Sequence, residues 1–283
     1  MKDTPASLRP ELGYALVTGA GQGIGRAIAL ELAARGYGII AVARTRRQLD
    51  EVVQQCGTLN GGRSTALELD LLAPDAVDRV EAAVHATQQP LTVLVNNAGQ
   101  AIWGRFGDLT AADHQRVLEL NVQVPLALTH RLLPQLLVNK PAYILNVGSM
   151  AGYTAMATLA TYSGSKAFLL RWSRSLRLEL RVSGVQVCCV CPGSVITGFT
   201  ERAGMQAMDD LAQKFGQPPE RIARSAVRAL FAGRAEVVPG LLDGITAWLL
   251  VNLPARLTER MASAIYLDRL PASDLARPGK DAS

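Results

Sequence analysis

Tyr162 and Lys166 stand four positions apart in the stretch TYSGSKAF (161–168), with only small residues between them. On a helix that spacing puts both side chains on one face, so a phenol and an ammonium can meet in one cleft. A tyrosine is a poor acid or base at neutral pH, because proton transfer works best when the pKa lies near the operating pH. A lysine ammonium about 4 Å away, at an effective dielectric near 20, favours the phenolate by up to about 4 kcal/mol, roughly three pKa units. The expectation is a tyrosine tuned downward by its lysine into a usable proton donor. On an exposed helix the same pair would be an ordinary surface contact, so its meaning depends on the residues around it.

A second chemical signal lies in ALVTGAGQGIGRAIAL (15–30), which reads as a strand, a glycine-rich turn and a helix start. Glycine allows positive φ and close approach of the backbone to a ligand, while a helix N-terminus offers free N–H groups to a pyrophosphate. The pattern GxGxxG fails because Ile24 stands where its third glycine belongs; Thr18, Gly19, Gly23 and Gly25 make TGxxxGxG instead. At the end of the next strand an acidic residue would bond the ribose 2′-hydroxyl of NAD. This chain reads Ala43, Arg44, Thr45, Arg46, Arg47 there. A guanidinium suits a 2′-phosphate through charge-assisted bonds, which favours NADP(H) over NAD(H). One of Arg46 and Arg47 is expected to be no more than a solvated start to the following helix.

The elements that must position these residues are legible as alternating segments. Apolar, β-branched runs at 14–18, 37–43, 65–69, 91–96, 142–147 and 185–190 suit strands buried on both faces. Helical patterns lie near 23–35, 46–56, 74–87, 110–138 and 160–182, with Thr110 and Asp113 as a capping box. Strict alternation of this kind predicts an α/β fold with a doubly wound parallel sheet. One domain is expected over 1–283, with a core of about 12–240, an apolar helical extension at 241–267 and a mobile tail at 268–283.

Taken together, these motifs resemble the short-chain dehydrogenase/reductase family over roughly residues 12–240. The likeness rests on TGAGQGIG (18–25), Asp70 after the third strand, NNAG (96–99), Asn121 in a long helix, Ser149 thirteen residues before Tyr162, Lys166, and PGSVIT (192–197). It implies a Rossmann-like oxidoreductase in which Tyr162 gives a proton to a substrate carbonyl and Ser149 hydrogen-bonds that oxygen. Lys166 would also hold the nicotinamide ribose, and Asn121 would support a water leading from Lys166 to solvent. The implied cofactor contacts are Thr18, Gly19, Gly21, Gln22, Gly23, Ile24 and Gly25 in the loop, Arg44, Thr45 and Arg46 after the second strand, and Asp70 and Leu71 near the adenine. Asn97, Ala98 and Gly99 would lie beside the cofactor, with Pro192, Gly193, Val195 and Thr197 around the nicotinamide.

Trp103, Met150, Tyr153, Met156, Phe199 and Met205 fall near the expected cleft and predict an apolar substrate pocket. A lipophilic ketone or a β-ketoacyl chain fits it better than a sugar, so the expected activity is that of an NADPH-dependent carbonyl reductase. The alternative is a catalytically idle NADP-binding sensor or scaffold, against which the intact Ser149, Tyr162 and Lys166 argue. The net charge of +5 comes from scattered basic residues without interleaved aromatics, so no nucleic-acid partner is expected. The run VQVCCVC (185–191) suits a buried strand better than a metal site, and none is expected. The N-terminal stretch lacks the pattern of a secretory signal, which points to the cytoplasm, and the family resemblance implies a homo-oligomer, dimer or tetramer. The extension at 241–267 could cover the substrate, contact another subunit or lie on a membrane, the last being least favoured.

Overall fold

The apolar runs become parallel strands of one sheet: β1 Tyr14–Thr18, β2 Gly38–Ala43, β3 Ser64–Glu68, β4 Leu91–Asn96, β5 Ala142–Val147, β6 Val185–Val190 and β7 Glu236–Val237. Their order is β3-β2-β1-β4-β5-β6-β7. The computed structural model describes residues 12–196 and 203–270, apart from the side chains at 211 and 212. Thr197, Phe199 and residues 271–283 of the expected tail lie outside the described residues.

Side chains alternate between two apolar layers, as the pleat requires. Ala15 and Val17 of β1 join one cluster, with Ile28, Leu32 and Val227, while Leu16 joins the other, with Val80, Leu128 and Leu132. The first layer is covered by α1 (Gly23–Ala33), α2 (Arg46–Asn60) and α8 (Pro219–Phe231). The second is covered by α3 (Ala76–Ala86), α5 (Val124–Val138) and α6 (Ala160–Glu179). Burying both faces explains why the strands read as continuous apolar runs. Cys188, Cys189 and Cys191 are free and buried, in keeping with the reading of VQVCCVC as a buried strand, and Cys56 is free and buried in the first layer.

The helix expected over 110–138 is interrupted. It starts at Thr110 with the anticipated capping box as α4 (Ala111–Leu118), opens into a π turn at Glu119–Gln123, and resumes as α5. A π turn widens the helix by one residue, which shifts Asn121 off the register that simple periodicity assigns it. The last strand, β7, is only two residues long; Pro239 beyond it has no N–H to extend the ladder and Gly240 turns the chain at φ 91°. Beyond it run α7 (Asp209–Phe215, before α8), α9 (Leu241–Asn252) and α10 (Ala255–Leu267), so the extension is helical as anticipated.

Reversal of strand order between β1 and β4 opens a crevice at their C-terminal ends, the place where such sheets bind ligands. A clamp closes its floor. Thr18 Oγ1 donates to the Val95 carbonyl at 3.1 Å and accepts the N–H groups of Asn97 and Ala98 at 2.9 and 3.0 Å. Asn97 Nδ2 donates back to the carbonyls of Thr18 and Gly19 at 2.8 and 3.2 Å. Gly19 and Gly23 take φ 65° and 57°, the left-handed region that glycine alone enters freely. A Cβ on Gly25 would run into the Gly19 carbonyl and the clamped Asn97 amide. Gly25→Ala is therefore expected to lose about 1–3 kcal/mol of stability by overpacking. Gly164→Ala, where an added Cβ meets nothing within 4 Å on helix α6, should be neutral or gain up to about 1 kcal/mol. Denaturant titration of both variants checks the contrast.

Candidate active site

Ser149 follows β5 with an extended backbone and caps a single turn of 3-10 helix, Met150–Gly152, accepting from Ala151 N at 3.1 Å. Tyr162 sits in the first turns of α6, buried, with its hydroxyl hydrogen-bonded to the Ser149 side chain. Lys166, one turn on, is buried too; its Nζ donates to the Val147 carbonyl at 2.9 Å and lies 5.9 Å from the centre of the Tyr162 ring. The electrostatics run against the expectation of a tyrosine tuned downward. Burial pushes Tyr162 up to about 12, with the Ser149 bond pulling the other way, while burial lowers Lys166 to about 8. Desolvation of the charged form dominates at both groups, and the lysine is turned to a backbone carbonyl rather than held against the phenol.

Asn121 projects from the π turn and is 1% exposed. Its Oδ1 accepts from Gln100 N and its Nδ2 donates to Gln100 O, both at 2.9 Å; Nδ2 also donates to Ser165 Oγ at 3.0 Å. Ser165 Oγ in turn donates to the Tyr162 carbonyl at 2.7 Å. The amide thus braces the helix that carries Tyr162. A Cβ on Gly99 would stand 3.1 Å from Asn121 Oδ1 and 3.4 Å from Lys166 Nζ, so Gly99, Asn121 and Lys166 converge on one point.

The turn between β1 and α1 has the shape of an anion cradle. Gln22, exposed at the start of α1, makes no side-chain cap bond, and the first turn holds no acidic residue. The first-turn N–H groups and the positive dipole end are left facing the crevice, a fit to a pyrophosphate. Gly21 is packed so that a Cβ would lie 2.9 Å from Gln48 Oε1 and 3.2 Å from Ala43 Cβ; Ile24 packs into the core behind the loop. After β2, Arg44 is exposed and makes no ion pair among the described residues. Thr45 is the N-cap position of α2. Arg46 pairs with Asp50 at 2.9 Å and Arg47 with Glu51 at 3.1 Å, both along the helix surface. Asp70 is exposed and accepts from Leu72 N at 3.1 Å, and Leu71 is buried beside it.

Across the crevice an apolar cluster gathers Trp103, Met156, Leu159, Met205 and Met208 around Tyr162. Trp103 is fixed by its indole N–H, which donates to Thr158 Oγ1 at 2.9 Å. Thr158 holds φ 66°, which for a β-branched residue costs about 1–3 kcal/mol and is retained where the surrounding structure dictates it. Tyr153 is not in this cluster. The 3-10 turn swings it back to pack with Leu170, Cys191 and Val238, and its hydroxyl donates to Glu236 Oε1. Met150 is half-buried and tied through its N–H to the Pro192 carbonyl at 2.9 Å, outside the cluster.

Sequence reasoning missed Tyr266. It comes from α10 with Ala262 to pack on the cluster, and the two phenols are close enough that Tyr266 helps to raise Tyr162. Ser263 Oγ accepts from Ala157 N at 3.0 Å and secures the helix there. The available signal was the stripe Thr258, Ala262, Tyr266 at helical spacing, obscured because the adjacent stripe, Leu257, Met261, Ile265, is more apolar but exposed.

Among the described residues no helix is long and apolar enough to cross a membrane, and no cluster of His, Cys, Asp or Glu could hold a metal ion. The family model for short chain dehydrogenases matches residues 13–207. A ketoacyl reductase of a Nostoc species is 32% identical over 226 residues, 79% of this chain and 77% of that protein. A very-long-chain 3-oxoacyl-CoA reductase of Phaeosphaeria nodorum is 29% identical over 96% of this chain and 80% of its own. Among solved structures, a short-chain dehydrogenase from Sphingobium yanoikuyae in complex with NADPH superposes with TM-score 0.73 at 28% identity, covering 86% of this chain and 96% of that one. A 7β-hydroxysteroid dehydrogenase, 21% identical, shares the fold with TM-score 0.79 over 88% of this chain and 96% of its own. With a matching model over most of its core and relatives above 30% identity, this chain belongs to the short-chain dehydrogenase family.

Proposed function

We propose that this chain is an NADP(H)-dependent carbonyl reductase, reversible to an alcohol dehydrogenase, acting on a lipophilic ketone or a β-ketoacyl chain. The observation that carries the reading is the hydrogen-bonded pair of Tyr162 and Ser149 set against an otherwise apolar cluster. Similarity to ketoacyl reductases and to an NADPH complex supports the substrate class and the cofactor. In this reading the protein is one cytoplasmic domain that forms a homo-oligomer, with exposed Leu126, Phe168 and Leu178 on α5 and α6 as a face for a second copy.

The cradle from Thr18 to Gly25 would hold the pyrophosphate, and Arg44 the 2′-phosphate, with Arg46 held to Asp50 beside it. Asp70 and Leu71 would flank the adenine, Asn97 to Gly99 the cofactor's middle, and Pro192 to Val195 its nicotinamide. When bound, the dinucleotide supplies the hydride. Ser149 and Tyr162 hydroxyls polarise the substrate carbonyl oxygen, and Tyr162 gives it a proton. A buried tyrosine with a pKa near 12 remains protonated at neutral pH, which suits a donor. As the proton leaves, the charged form of Lys166 stabilises the phenolate that remains, and Asn121 keeps the helix in place. Trp103, Met156, Met205 and Tyr266 exclude water from the reacting carbon.

Tyr162→Phe should lower ketone reduction by about 10²–10⁴-fold while NADPH affinity stays near wild type, measured by absorbance at about 340 nm and by calorimetry. Activity kept within a few-fold would remove Tyr162 as the acid. Arg44→Asp should weaken NADPH binding by about tenfold or more and leave NADH binding nearly unchanged, since charge-assisted bonds contribute about 1.5–3 kcal/mol; equal losses would undo the 2′-phosphate assignment. The pH profile follows Lys166. Its ammonium form aids the departing proton and is lost as pH rises through about 8, so kcat/KM for reduction should be level below that pH and fall above it. Lys166→Met should be slow and level from about pH 7 to 9, whereas a falling limb in that variant would assign the titration to another group.

A further inference from the structure

The loop Pro192–Ile196 leaves the C-terminal end of β6, and one residue grips it from outside the strand. Gln217 N donates to the Ser194 carbonyl at 3.0 Å and Ile196 N donates to the Gln217 carbonyl at 3.1 Å, pairing Val195 with Gln217 in a parallel bridge. The side chain continues the grip. Gln217 Nε2 donates to the Pro239 carbonyl at 2.7 Å and to Asp243 Oδ2 at 2.6 Å. The amide can point only one way, because its reversal would set its oxygen against a carbonyl and a carboxylate.

Asp243 comes from the first turn of α9, where the helix dipole favours a carboxylate. It lies so close to the loop that a Cβ on Gly193 would stand 2.6 Å from its Oδ2. A Cβ on Gly240 would likewise lie 3.0 Å from the Gln217 amide carbon. Two glycines therefore make room for one glutamine and its carboxylate. Gln217 Oε1 is buried without a hydrogen-bond partner among the described residues. A desolvated carbonyl with no donor opposes this placement, so the donated bonds and the packing must outweigh it.

We infer that Gln217, held by Asp243, is a positioning residue that locks the nicotinamide-side loop to the C-terminal helices and thereby sets the affinity for the nicotinamide half of the cofactor. This rests on the proposed reading of Pro192–Val195 as the nicotinamide flank. The lock acts on that half alone, since the cradle at Thr18–Gly25 and Arg44 lies at the ends of other strands.

Two probes separate the halves: NADPH, and 2′,5′-ADP, which lacks the nicotinamide. Calorimetry on the full chain should show Gln217→Ala and Asp243→Ala each weakening NADPH by about tenfold, as misplacement of a binding loop does, with 2′,5′-ADP unchanged within about twofold. The double variant should be no weaker than either single one, because both break the same contact. Asp243→Asn keeps an oxygen to accept from Gln217 and should recover most of the affinity. Equal loss of both probes, as a merely structural role would produce, overturns the inference, and so does unchanged NADPH binding in folded variants. If the alanine variants fail to fold, the comparison of Asp243→Asn with Gln217→Glu, which faces carboxylate against carboxylate, decides: the inference requires NADPH loss only in the second. A wild-type chain that binds neither probe removes the dinucleotide reading and this inference together, whereas binding of both with indifferent variants removes the lock alone.

Discussion

The cost of burying Lys166 organises the candidate site. An ammonium taken out of water needs compensation, and here it finds the Val147 carbonyl at the end of β5, where the sheet stops and a strand carbonyl is free to accept. That single bond relates α6 to the sheet at the level of the crevice. It also fixes the side of α6 that faces inward, which places Tyr162 one turn earlier beside Ser149 at the end of the same strand. The remaining polar groups brace this arrangement from behind. Asn121 reaches it only because the π turn rotates the amide toward Gln100 and Ser165. Further down, Asn96, Asn146 and Ser173 form a buried chain of hydrogen bonds from β4 through β5 to α6. A helix tied at several depths to one sheet can hold two hydroxyls in register without help from solvent.

The fold was legible because buried parallel strands leave no polar alternation to confuse the pattern, and because the turns between them carry glycines with a mechanical reason to be there. Gly19 and Gly23 need positive φ, and Gly25 needs the absence of a Cβ. The shared face of Tyr162 and Lys166 was legible from helical spacing, whereas Ser149 came to them only through the family resemblance. Their charges were not. Spacing says which groups meet, while the direction of a pKa shift depends on how much water is excluded, and that is a property of the assembled pocket. The π turn was hidden because one inserted residue barely disturbs the apolar rhythm around it. Tyr153 was misplaced because a 3-10 turn of three residues reverses the direction in which the next side chain points.

Arginines after β2 show how geometry separates residues that composition treats alike. Arg46 and Arg47 begin a helix with carboxylates four residues on, so each has a partner on its own surface. Arg44 precedes the helix and has no such neighbour in sequence. It is the guanidinium left at the mouth of the crevice, and in the proposed reading the one with charge to offer a phosphate. The distinction follows from the helix starting at Arg46 rather than at Arg44.

The apolar cluster around Tyr162 is drawn from two parts of the chain. The matched family region, residues 13–207, contains the cradle, Ser149, Tyr162 and Lys166, together with Trp103, Met156 and Met205 of the cluster. The apolar cluster around Tyr162 is completed by Ala262, Tyr266 and Leu270, all beyond that region. The helix that brings Ala262 and Tyr266 also carries Leu257, Met261 and Ile265 on an adjacent, exposed stripe, and Leu270 follows its end. Its first partner, α9, is held at its start by Asp243 against Gly193. The extension thus touches the crevice twice, once at the loop after β6 and once at the tyrosine. A wall so attached can change its lining residues without disturbing the bonds that hold Lys166. In the proposed reading, residues 241–270 then share the lining of the substrate pocket with Trp103, Met156 and Met205.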